Sequence, residues 1–255
     1  MLLAAILKLA DEGKFQLSDQ FSTFFPKVPA DKAIITVAHL LTGQSGLPNF
    51  HHRADVDENF DLSWIDREEA LRRLFEQPLL FEPGASRTHS HAAFVLLAAV
   101  VEKVTGQSYA AYLDTTFFTP LGMQHTGFYG DDSGIAASAM AVGYGSSRVG
   151  IKNTPHHWGS TSWLIMDSGG MVSTIDDLHT WIEATHAGSF FSEEAMAYYG
   201  KTLKGGGISD RGFLVLLYHD AGDTLIYMTN THEEEGDRSM VLGDALMALV
   251  EDAQE

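Results

Sequence analysis

The stretch from Ala92 to Val101, AAFVLLAAVV, holds no polar side chain at all. A helix that is apolar on every face has to be buried on most of its sides. The rest of the chain must therefore be arranged around it. Its lead-in is a turn signal, Pro83-Gly84, followed by the polar run Ser86-Arg87-Thr88-His89-Ser90-His91. Its end carries Lys103 and then Gly106, the residues expected at a helix C-terminus. A polar approach anchored on a buried helix is fixed in space by the core beneath it, and its hydrogen-bonding side chains are the first place to look for chemistry.

Other segments follow from pattern. Met1 to Ala10, MLLAAILKLA, reads as an apolar helix that begins without a cap and stops at Asp11-Glu12-Gly13-Lys14. Asp19 to Pro29 reads as a connector anchored by Phe21, Phe24 and Phe25. Ile34 to Leu47 predicts a helix capped by Thr36 and ended by a Gly/Ser turn, and Trp64 to Leu74 predicts another. Tyr109 to Phe117 is amphipathic, and Gly130 to Ser162 is rich in Gly, Ser and His and reads as loop. Thr174 caps a helix over Ile175 to Thr185, with Asp177 at capping-box spacing. Gly205-Gly206-Gly207 reads as a hinge into a hairpin of Phe213–Tyr218 and Thr224–Asn230, and a last helix covers Leu242 to Val250. Helices first and strand-turn-strand-helix last is an α+β pattern.

Composition excludes several classes. With 16 basic against 34 acidic residues the formal charge is −18, a field that repels phosphate backbones and argues against nucleic acid as a partner. The absence of cysteine removes disulfides, thiolate metal sites and cysteine nucleophiles together. No run is long and apolar enough for a transmembrane segment, and the first residues show neither the basic region nor the cleavage site of a signal peptide.

The frame FEPGASRTHSHAAFVLLAAVVEKVTG, together with ITVAHLLTGQSGLP, PLGMQHTGF and GGMVST, resembles the serine β-lactamase-related family of class C β-lactamases, D-alanyl-D-alanine peptidases and esterases. The resemblance implies one β-lactamase/transpeptidase-like domain over 1–255: a helical lobe over 1–168, and over 169–255 an antiparallel sheet with flanking helices. In that family a segment like AAILKLADEGKFQLSD follows a Ser-x-x-Lys motif at the start of the same helix, preceded by strands of the sheet. None of the lysines here has a serine three positions earlier, and there is no Gly-x-Ser-x-Gly. The expectation is a chain lacking the N-terminal strands and the start of the nucleophile helix, with an exposed sheet edge and apolar surface as the result.

The resemblance also assigns roles. Family members carry Tyr-Ser-Asn or Tyr-Ala-Asn where this chain has His89-Ser90-His91. His89 stands in the slot of the Tyr base, and an imidazole with a pKa near ~6.5 can take a proton at neutral pH. His91 replaces an Asn amide that both donates and accepts. Ser90 is implied as substrate-binding, although packing inward or capping the helix is the plainer reading. Lys204-Gly205-Gly206-Gly207 fits the Lys-x-Gly strand, with Lys204 holding a substrate carboxylate, Gly205 and Gly206 lining the substrate, and the Gly207 N–H stabilising an oxyanion. Lys201-Thr202 is a second-ranked match for the same element.

Acyl transfer to water from an amide, lactam or ester is thus the expected chemistry, on a small-molecule or peptide substrate and without metal or organic cofactor. The residues themselves fix no location; the resemblance alone implies a bacterial protein that is exported or periplasmic. Two alternatives stand beside it. One is a non-catalytic ligand-binding or relic member of the family. The other is a metal site drawn from His89-x-His91, His51-His52 and His156-His157.

Overall fold

The computed structural model describes residues 1–48, 64–130, 135–144, 159–166, 169–202, 205–210, 213–220, 222–231 and 238–252. The chain divides into two compact units, Met1–Pro120 with Ser160–Met171, and Leu121–Gly159 with Val172–Glu255.

The first unit holds α1 (Leu2–Asp11), α2 (Phe21–Phe24), α3 (Ala30–Ala33), α4 (Val37–Leu41), α5 (Arg67–Glu76), α6 (His91–Thr105) and α7 (Tyr109–Leu113). A π turn over Asp114–Phe118 and the short α8 (Thr119–Leu121) continue α7. The all-apolar stretch lies in α6 as expected, with Ala92, Ala93 and every residue from Val95 to Val101 buried. Around it are α1, α2, α4, α5, α7 and the 3-10 turn Trp163–Ile165. Gly106 ends α6 in the left-handed conformation (φ 72°), its N–H donating to the Glu102 carbonyl. The Glu102 carboxylate then ties three helices together, accepting from the Tyr109 N–H at 2.9 Å and from Arg67 at 2.6 Å.

In α1 the side chains of Leu2, Ala4, Ala5, Ile6, Leu7 and Leu9 are buried, and no side chain caps its first turn. The expected connector contains α2, where Phe21 and Phe24 are buried and Phe25 stacks on Phe21 at 4.7 Å. Two predicted helices begin later or end sooner than their apolar pattern. The helix read over Ile34–Leu47 spans Val37–Leu41: Thr36 caps it, His39 returns the bond, and Gly43 and Gly46 turn the chain out at φ 73° and 75°. The helix read from Trp64 starts at Arg67, because the Asp66 carboxylate caps it through the Glu69 N–H and leaves Trp64 ahead of it and 60% exposed.

Strand β2 (Met171–Val172) falls on the division between the units, and the second unit contains β1 (Gly127–Phe128), α9 (Ile175–His186), α10 (Glu193–Thr202), β3 (Gly205–Asp210), β4 (Phe213–Asp220), β5 (Asp223–Thr229) and α11 (Arg238–Asp252). The predicted hairpin is present as β4 and β5, paired antiparallel from Leu214↔Thr229 to Asp220↔Asp223. The glycine run is not a hinge. Gly205, Gly206 and Gly207 pair with Tyr218, Leu217 and Leu216 in the antiparallel β3–β4 ladder. A ladder is made of main-chain groups, so a run without side chains can extend beside a strand that offers its free N–H and C=O groups. Helix α10 has no counterpart in the sequence reading, and α11 is longer than predicted. Gly243 of α11 sits on the sheet, where a Cβ would come 2.4 Å from Leu216 Cδ1, while Val241, Leu242 and Leu249 are exposed.

Thr174 caps α9 as expected, accepting from the Asp177 N–H at 3.2 Å. The Asp177 carboxylate, only 8% exposed, is spent on the PLGMQHTGF segment instead of closing a box. It accepts from the His125 N–H at 2.9 Å and the Thr126 hydroxyl at 2.8 Å. Within Gly130–Ser162 the described residues form a 3-10 turn, Ala137–Ala139, and a bridge from Tyr144 to Thr231. Among the described residues no helix is long and apolar enough to cross a membrane.

Candidate active site

The approach to α6 is held by main-chain bonds to a single turn. The Glu82–Ala85 turn has Pro83 second and Gly84 third (φ 86°), with the Ala85 N–H donating to the Glu82 carbonyl, the residue order a type II turn requires. On either side of it the segment from Leu80 to Ser90 lies along Gly43–Pro48. The N–H groups of Leu80, Gly84 and Thr88 donate to the carbonyls of Gly46, Gln44 and Gly43 at 2.7, 2.8 and 2.9 Å. The Ser90 hydroxyl adds a fourth bond, to the Pro48 carbonyl at 3.2 Å. The approach is close enough that a Cβ on Gly46 would lie 2.1 Å from the Phe81 carbonyl oxygen, and one on Gly43 2.7 Å from that of Thr88. Only glycine fits there.

This scaffold brings three of the expected site residues together. Ser90 precedes α6 in an extended conformation, is 3% exposed, and points its hydroxyl inward at Pro48 with no helix cap. His89 and His91 flank it on the outer side. Their Nε2 atoms stand 3.2 Å apart, and their rings meet edge to face at 4.7 Å. Phe94, one turn into α6, lies edge-on to both rings, at 5.4 Å from His89 and 6.1 Å from His91. In a neutral pair at this distance one Nε2 donates and the other accepts, so the two imidazoles share a hydrogen.

The other expected elements lie in the second unit. Gly205, Gly206 and Gly207 form the first half of β3. Lys201 and Thr202 make the last turn of α10 and belong to no strand. Lys204 lies outside the described residues, as do His51, His52, His156 and His157. Among the described residues no group of three or more His, Cys, Asp or Glu side chains converges in a way that could hold a metal ion. Phe94 and the two turn glycines were not anticipated as parts of the site. The Gly43-Gln44-Ser45-Gly46 spacing was legible as a turn, but its contact with the segment before α6 depends on pairing across distant sequence.

A second pair of histidines occurs in the second unit. His186 of α9 and His219 of β4 have ring centroids 3.9 Å apart at a tilt of 36°, and Tyr199 of α10 meets His186 edge to face at 5.7 Å. His219 Nδ1 is 2.7 Å from the Thr224 hydroxyl. Burial, and then the neighbouring His219, push His186 below the usual histidine value, with Glu183 opposing.

A family profile described as Beta-lactamase matches residues 1–237. Among curated proteins, a putative D-alanyl-D-alanine carboxypeptidase of Salmonella paratyphi A is 26% identical over 219 residues, which cover 80% of this chain and 48% of that protein. The chain thus spans about half the length of the curated relatives it matches. Among solved structures, a D-stereospecific amidohydrolase from Streptomyces sp. superposes with TM-score 0.75 at 21% identity, covering 90% of this chain and 78% of that one. A Beta-lactamase/D-alanine carboxypeptidase from Yersinia pestis gives 0.72 at 21%, covering 100% and 82%. At these identities the likeness shows the fold, which is β-lactamase/transpeptidase-like.

Proposed function

This chain belongs to the beta-lactamase family, and from that premise we propose that it carries the fold and part of the site of a serine hydrolase, one that transfers an acyl group to water from an amide, lactam or ester. The observation that carries the reading is the His89–His91 pair, presented at the N-terminal end of the buried helix α6 and sharing a hydrogen at 3.2 Å. In the mechanism His89 accepts the proton of the attacking hydroxyl and returns one to the leaving group. His89 donates the shared hydrogen through Nε2 to His91 Nε2, which leaves His89 Nδ1 unprotonated to take that proton. Ser90 acts on substrate only through its backbone, its hydroxyl being turned to Pro48. By resemblance to the family, Lys204 is assigned to a substrate carboxylate, Gly205 and Gly206 to the substrate, and the Gly207 N–H to the oxyanion.

The names of the relatives and neighbours favour an amide bond beside a D-amino acid over a β-lactam or a simple ester. The 255 residues contain no Ser-x-x-Lys, so this polypeptide binds such a substrate without turning it over. The same observation favours, as second reading, a ligand-binding member of the family. The test is to incubate the chain with nitrocefin and p-nitrophenyl esters and to titrate it with D-alanyl-D-alanine by calorimetry. The expected outcome is saturable dipeptide binding, lost in Lys204→Ala and weakened in His91→Ala, with no hydrolysis. Active-site-titratable hydrolysis would overturn the inactive reading. Dipeptide binding indifferent to both substitutions would overturn the site.

A further inference from the structure

We infer that His89 and His91 form a two-nitrogen chelate for a borderline divalent transition ion, Cu2+ or Zn2+. The inference stands on the geometry of the pair and does not depend on hydrolysis. Imidazole nitrogens are the donors such ions prefer where thiolates are absent, and this chain has no cysteine. At the ~2.0–2.1 Å metal–nitrogen distance usual for zinc, two nitrogens 3.2 Å apart subtend about 100° at an ion placed between them, close to the tetrahedral angle. The ion sits to one side of the line joining the two nitrogens and replaces the hydrogen bond between them. The ring that donates through Nε2 moves that hydrogen to Nδ1, and both Nε2 lone pairs then face the metal with no net proton change.

The pair is also pre-organised, and a chelate gains most when its ligands are already held. Ser90, between them, is buried and bonded to Pro48; Thr88, just before them, is bonded to Gly43; and Phe94 packs edge-on against both rings. The site lies on the exposed side of this approach, where an ion can arrive and where water completes its coordination. The chain's charge of −18 raises the local concentration of any divalent cation. His186 and His219 are built differently: their rings lie face to face and His219 Nδ1 is engaged with Thr224. They serve as the internal control.

The experiment is calorimetric titration of the full chain with CuCl2 and with ZnCl2, with electron paramagnetic resonance on the copper form to count coordinated nitrogens. The expected result is one ion per chain, copper bound more tightly than zinc, and two imidazole nitrogens on copper. The binding event should be lost in His89→Ala and in His91→Ala and retained in His219→Ala. His89→Gln and circular dichroism separate loss of the ligand from loss of the fold. Binding that survives either substitution at His89 or His91, or the lack of any saturable uptake by the native chain, overturns the inference.

Discussion

The molecule places two pairs of histidines side by side in two different ways. His89 and His91 are neighbours in sequence, split by one buried serine, and their rings stand perpendicular with Nε2 facing Nε2. His186 and His219 come from a helix and a strand and lie face on face, with Tyr199 against the edge of one and Thr224 on a nitrogen of the other. In the first pair the ring faces pack on Phe94 and the nitrogens converge. In the second the faces pack on each other and a nitrogen is spent on a neighbour. The same residue type therefore makes a nitrogen-to-nitrogen pair in one place and a ring-packing pair in the other, and the backbone decides which. Around His89 and His91 that backbone is a set of main-chain bonds to a glycine-bearing turn. Around His186 and His219 it is ordinary helix-on-sheet packing.

The comparison breaks most completely at Gly46. Its φ of 75° already disfavours any other residue, and an added methyl would collide with the Phe81 carbonyl, which cannot rotate away as a side-chain tip could. Gly46→Ala is expected to destabilise the protein by roughly 3 kcal/mol, the sum of a left-handed strain and a displaced backbone. The drop in the urea midpoint measures this. An effect below about 0.5 kcal/mol, the size of an ordinary surface change, would mean that the turn does not hold the approach to α6.

Ser90→Ala is a finer cut at the same region. It removes the hydroxyl that bonds the Pro48 carbonyl and leaves that carbonyl without the partner. The expected cost is about 1 kcal/mol, with looser copper binding than the native chain but tighter than His89→Ala. If copper binding is unchanged while stability falls, the serine holds the fold without holding the pair.

Much of this was legible in the sequence because it rests on local rules. An all-apolar run closed by Lys103 and Gly106 gave α6, Pro83-Gly84 gave the turn, Thr36 and Thr174 gave two caps, and the Gly/Asp spacing gave the hairpin. What escaped depends on partners far along the chain. Gly205–Gly207 read as a hinge from composition alone, because glycine has no strand propensity of its own; the Lys-x-Gly resemblance put them in a strand, and pairing with β4 makes them one. Asp177 read as half of a capping box because its use by His125 and Thr126 crosses about fifty residues. Helix α10 escaped because Gly200 and a weakly periodic pattern hide it. In the candidate site the residue letters were legible and their presentation was not. His-x-His does not state that its nitrogens converge; the bonds from Thr88 to Gly43 and from Ser90 to Pro48 do that.

The smallest effect sharpens the comparison from the packing side. Burial and the adjacent His219 hold His186 below the ordinary value of 6.5, so the folded state resists a proton that the unfolded chain accepts. Above pH 6.5 both states are neutral at this residue and it contributes no pH dependence. As pH falls below 6.5 the unfolded chain is protonated first, and stability is lost until the folded-state value is passed. The groups around the ring are His219, Tyr199 and Glu183, and of these Glu183 raises the value while His219 lowers it. His186→Phe keeps a flat ring against His219 and Tyr199 and removes the titration, so the urea midpoint should vary less between pH 6.5 and mildly acidic pH than in the native chain. An unchanged slope would assign the acid sensitivity to other groups, and the face-to-face pair would then differ from His89 and His91 in geometry alone.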